Sequence, residues 1–163
     1  MQKEELKTKI NWKMDRLEHL IIHILSSFNF VTLNIAPINF ESVDIIGFFP
    51  ETMDLLIIAC TTGVLKDDLA KLDSVINTME DELPNIFSKC TVTPVIVYTK
   101  NATISSQDKK YSRDQEIVIL DNLAIDKLLE MLNTNRNTRQ VLDFIEECHW
   151  KYDDRIENMV GPY

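Results

Sequence analysis

The chain has 163 residues, 45% of them apolar, with only three glycines and five prolines. That is enough apolar material for one full core, so a single domain spanning residues 1–163 is expected, and a low-complexity or linker-rich chain is excluded. The formal charge is -9, from 17 Lys and Arg against 26 Asp and Glu. This argues against a passive high-affinity coat for nucleic acid, which rests on phosphate neutralisation. A nuclease stays open, because a local basic rim and a bound divalent ion can overcome a field of the wrong sign.

In chain order, Leu6, Ile10, Met14, Leu17, Ile21 and Leu25 carry the helical period and predict a long helix from Lys3 to Ser26. The β-rich stretch from Phe28 to Phe40 predicts a strand, ended or bent by Pro37. Val43 to Phe49 predicts a second strand, and Asp54 to Cys60 a third, whose continuous apolar run suggests burial on both faces. Leu65, Leu69, Leu72, Val75, Ile76 and Met79 predict a helix from Leu65 to Glu82, stopped by Pro84. Thr91 to Thr99 is a fourth strand, irregular at Pro94. Asn101 to Arg113 reads as a polar loop. Glu116 to Leu120 is a fifth strand, and two helices close the chain, Leu123 to Leu132 and Thr138 to about Lys151. Three successive strands suit an antiparallel meander, and a helix between later strands suits a parallel crossover. The expected fold class is therefore α/β, a mixed central sheet flanked by helices on both faces.

Cys60, Cys90 and Cys148 are far apart, without CxxC spacing, and read as small buried hydrophobes in a reducing compartment. The charged start, MQKEELKTKINWKM, has no signal-peptide pattern, and no run reaches membrane-spanning length. A cytoplasmic protein with no membrane partner is expected. His19 and His23 stand four apart on the first helix, a spacing that can chelate metal, but no HExxH frame surrounds them, and a structural role is favoured. His149 falls near the end of the last helix. The scarcity of glycine removes phosphate-cradling loops and dinucleotide fingerprints. Lys100, Lys109, Lys110 and Arg113, interspersed with Ser, Thr, Asn and Gln, make the polar loop the candidate contact surface for phosphate, against an ordinary solvated loop.

The run VDIIGFFPETMDLLIIACTTG, Val43 to Gly63, carries the strongest functional suggestion. Asp44 heads an apolar strand. A carboxylate there and another on the adjacent strand could share a divalent cation that acidifies water and stabilises a phosphoryl oxygen. Otherwise Asp44 is a turn-proximal carboxylate accepting backbone N–H bonds. Helix, meander, helix, strand, together with DIIG and DLLIIACTTG, resembles the PD-(D/E)XK, or restriction-endonuclease-like, nucleases over roughly Glu4 to Leu132. The resemblance implies a restriction-endonuclease-like sheet, with Asp44 as the metal-ligating Asp, Ala59 at the Glu position, Thr61 at the Lys position, and Glu18 as the helical Glu. Lys66 could take over the missing lysine's role, or be a solvent-facing charge in a helical first turn. Ala59 is either a packed small residue or the mark of a lost or replaced glutamate. What the resemblance implies is an endonuclease using Mg²⁺ or Mn²⁺ on nucleic acid, DNA before RNA, as a homodimer or part of a larger assembly, with this chain inactive through Ala59. The alternative is a non-catalytic nuclease-fold module for protein or nucleic acid binding.

Overall fold

The computed structural model describes residues 14–34, 43–61, 64–99, 104–134 and 136–148. In chain order these form α1 (Met14–Ser27), β1 (Val31–Asn34), β2 (Ile45–Phe49), β3 (Asp54–Thr61), α2 (Leu65–Glu82), α3 (Pro84–Lys89), β4 (Thr91–Tyr98), α4 (Ser106–Asp114), β5 (Val118–Leu120), α5 (Asn122–Asn133) and α6 (Thr138–Glu147). One sheet holds the strands in the order β1-β2-β3-β4-β5. β1, β2 and β3 form the antiparallel meander, while β4 joins β3 in parallel and β5 joins β4 in parallel. The parallel pairs are made possible by the crossovers through the helices between β3, β4 and β5.

Every residue of β3 is buried. Leu56, Ile58 and Cys60 point into one apolar layer, with Ile21, Ile24 and Leu25 of α1, Leu128 of α5 and Leu142 of α6. Leu55, Ile57 and Ala59 point into the other, with Leu65, Leu69, Leu72 and Met79 of α2. The unbroken apolar run of β3 is thus the signature of a central strand covered on both faces.

α1 closes with Asn29 in the left-handed region at φ 68°. The Asn29 and Phe30 amides donate to the Ser26 and Leu25 carbonyls, a tight helix end that asparagine tolerates. Gly47 lets α1 lie close to the sheet: a Cβ there would sit 3.1 Å from Leu25 Cδ1, inside normal contact distance. The part of the first helix expected before Met14, the region around Pro37, and His149 lie outside the described residues.

Two expectations need correction. The stretch from Asn101 to Arg113 is not a loop throughout, because Ser106–Asp114 is helical, with the Ser105 side chain accepting from the Asp108 amide at 3.1 Å. Pro84 ends α2 and also begins a further helix, α3, where the missing proline N–H costs nothing. Shorter differences are ordinary end effects: β5 begins at Val118 after Glu116 turns the chain at φ 56°.

Candidate functional site

The residues around Asp44 and Ala59 meet at the C-terminal end of β3. Asp44 lies just before β2, whose Ile45 faces Ile58 of β3. Its own amide donates to the Ile58 carbonyl at 2.9 Å. Val43 packs in the α2-side layer and Ile45 in the α1-side layer, so strict alternation breaks between them. Two consecutive residues addressing one partner residue, with a change of face, mark a bulge. The bulge turns the Asp44 carboxylate along the end of β3, where Oδ2 accepts the Cys60 amide at 2.7 Å. The Cys60 nitrogen is covalently joined to Ala59, which places that oxygen within roughly 7 Å of the Ala59 Cβ.

Glu18 is buried on α1 at 8% exposure. Burial first, and then the Asp44 and Glu18 carboxylates, push the Cys60 thiol well above its ordinary value. Asp44 and Glu18 therefore share the neighbourhood of one neutral, inert thiol. The sequence marks Cys60 as a small buried hydrophobe, as the structure shows, but nothing there marks it as the centre of this group.

Ala59 and Thr61 take the other side. Ala59 is packed in the α2-side layer. The Thr61 hydroxyl donates to Asp68 in the first turn of α2. That first turn has no side-chain cap from Val64, and its Asp67 and Asp68 place negative charge where the helix dipole favours it. Lys66, in the same first turn of α2, is exposed. The arrangement thus brings Asp44, Glu18 and Cys60 together, and separately Thr61 with Asp68. Asp44 and Ala59 are neighbours through the backbone.

A hard divalent ion needs several oxygen ligands aimed at one point. Among the described residues no group of three or more His, Cys, Asp and Glu is arranged to hold a metal ion. Ala59 contributes a methyl group, and Oδ2 of Asp44 already holds an amide. Among the described residues, those around Asp44 do not make up the several-oxygen donor set that a hard divalent ion takes. His19 and His23 are both exposed on α1. Of the polar segment proposed for phosphate contact, Lys109, Lys110 and Arg113 lie on α4, and Lys100 lies outside the described residues. Compared with family models, with curated proteins and with solved structures, the chain matches none.

The opposite end of the sheet holds a feature that the sequence does not announce. A cavity of about 580 Å³ opens below the first residues of β4, between α2 and α3 on one side and α6 on the other. Ile76, Phe87, Val92 and Pro94 line it together with Glu80, Glu116, Asp143, Glu146 and Glu147. Asp54, buried at the start of β3, is close enough to act on Glu146. Burial, and then Asp54, push the Glu146 carboxyl up; Arg139 opposes them, while Asp143 and Glu147 add to the effect. No helix among the described residues is long and apolar enough to cross a membrane.

Proposed function

We propose that this chain is a nuclease-fold domain of the PD-(D/E)XK type that does not cleave nucleic acid in its present sequence and works by binding. The observation that carries the reading is the Asp44 carboxylate, engaged with the Cys60 amide beside the methyl group of Ala59. The Ala59 methyl group packs in the α2-side layer and supplies no second carboxylate, which leaves Asp44 as a structural acceptor. Support for the nuclease lineage comes from the order helix, meander, helix, strand and from DIIG and DLLIIACTTG at the paired strand ends.

The second reading is that the parent form is an active, Mg²⁺- or Mn²⁺-dependent endonuclease, on DNA before RNA, with Glu where Ala59 stands. The closeness of Asp44 to Ala59 favours it. Ala59→Glu separates the cases. With nuclease descent, the variant melts lower than the unaltered chain without metal, because a buried unpaired carboxylate is costly. It recovers in Mg²⁺ or Mn²⁺ and cleaves single- or double-stranded DNA or RNA, and Asp44→Asn then abolishes cleavage. The unaltered chain does neither. Cleavage by the unaltered chain, lost in Asp44→Asn, overturns the non-catalytic reading. An Ala59→Glu form that folds but gains neither metal response nor cleavage overturns nuclease descent.

A further inference from the structure

β4 is longer than the strand beside it. Its eight residues run from Thr91 to Tyr98, but β5 faces only Val95, Ile96 and Val97. Thr91 to Pro94 therefore present an outer edge with no strand opposite among the described residues. They are exposed or half-buried, and the acidic cavity opens along them. The chain that would have continued β5 backwards turns away: Glu116 sits at φ 56°, and the Ile117 amide donates to the Ser112 carbonyl at 2.8 Å. Ser112 in turn donates its hydroxyl to the Ile117 carbonyl. The backbone that could have covered the β4 edge is thus held by α4.

We propose that this groove receives an extended, lysine- or arginine-bearing segment of a partner protein, laid along the free edge of β4 in the line of β5. Four features select that occupant together. An open strand edge pairs with an extended backbone and supplies main-chain hydrogen bonds. Pro94 has no N–H to give, which keeps the added strand short. Ile76, Phe87 and Val92 offer an apolar floor for one face of the segment. Glu80 on the α2 side, Glu116 at the turn before β5, and Asp143 and Glu146 on the α6 side bring carboxylates from three separate parts of the chain to the groove, with Arg139 as counter-charge to Asp143 at 3.1 Å. A cationic side chain in the groove would offset the repulsion that Asp54, Asp143 and Glu147 exert on Glu146, whereas a nucleic acid phosphate would add to it. The groove lies at the far end of β3 from Asp44, about 20 Å away by strand rise.

The inference rests on the reading of the domain as a binding module and names its partner. Its failure would leave the Ala59→Glu experiment untouched, since that experiment reads the other end of the sheet. The probe is a fluorescein-labelled octapeptide of alternating lysine and leucine, titrated with the full chain and followed by anisotropy. Saturable binding is expected, and none with glutamate in place of lysine. Glu80→Gln together with Glu146→Gln weakens binding about tenfold or more, while the charge-matched Asp126→Asn with Glu130→Gln on α5 changes it less than about twofold. Methylating alternate peptide nitrogens, which keeps the charge but removes strand donors, also weakens it. The Gln variants relieve repulsion, so their melting temperature does not fall. Equal loss in both double variants would reduce the effect to net charge and overturn the proposal. So would the absence of saturable binding or undiminished binding of the methylated peptide. Sedimentation showing a dimer that dissociates in the Glu80→Gln, Glu146→Gln form would overturn it too, by giving the groove to a second copy of this chain.

Discussion

At its C-terminal end β3 is surrounded by carboxylates that hold protein groups: Asp44 takes the Cys60 amide, and Asp68 takes the Thr61 hydroxyl. At its N-terminal end Asp54 is engaged in this way by Thr52, but the carboxylates beyond it gather around an open groove. The same residue type does different work at the two ends. A carboxylate within hydrogen-bond reach of a buried amide is part of the fold, because losing it leaves a donor unsatisfied. Beside the open strand edge, burial and the neighbouring carboxylates raise the Glu146 carboxyl, so the folded chain disfavours its charged form. The end proposed to descend from a nuclease centre is thus the more structural of the two, and the acidic end is the one proposed to receive a partner.

Substitutions at the two ends should therefore differ in sign. The largest effect is expected for Ala59→Glu, which puts a charge into the apolar layer of Leu65 and Leu69 and should cost about 3–5 kcal/mol in metal-free buffer; urea unfolding reads it. Asp44→Ala comes next. It leaves the Cys60 amide, in a strand that is fully buried, without its acceptor, at a cost of about 1–3 kcal/mol. An Asp44→Ala form as stable as the unaltered chain would break the contrast between the ends.

Glu146→Gln should act in the opposite direction and by less. The groups facing Glu146 are Asp54 from β3 and Arg139, Asp143 and Glu147 on its own helix, with Glu80 and Glu116 lining the same groove. Its carboxyl is raised in the folded chain, so the folded state disfavours the charged form. The penalty is fully present above the raised value and fades as pH falls through it towards the ordinary glutamate range near about 4.3. Glu146→Gln should raise the melting temperature at neutral pH, and the gain should shrink on acidification. A gain that grows in acid would mean that Glu146 is stabilised by Arg139 more than it is opposed by its neighbours. The smallest effect is kinetic. Cys60 should be the slowest thiol towards a disulfide reagent, reacting only as the chain unfolds, while the half-buried Cys90 reacts first.

Elements set by local periodicity were legible in the sequence. The leucines of α2 and the apolar run of β3 specify their elements with little help from the rest of the chain. α4 escaped because its nine residues bury only Ser112, so no apolar period marks it; Ser105 with Asp108 three residues on was the available sign. Asp44 was legible as a residue of interest, but its partner depends on a bulge and on a register sixteen residues away in sequence. The groove was not legible at all, because Glu80, Glu116 and Glu146 come together only after two crossovers have been folded. The net charge announced the surplus of carboxylates, and the topology decides where it gathers.

The most direct measurement is the thermal unfolding of the unaltered chain and of Asp44→Ala, each with and without millimolar Mg²⁺ or Mn²⁺. If Asp44 serves the Cys60 amide, Asp44→Ala melts lower by the same amount in both conditions, and metal shifts neither form. A metal-dependent rise in the melting temperature of the unaltered chain that disappears in Asp44→Ala would show Asp44 to be a working metal ligand, and would contradict the structural role assigned to it.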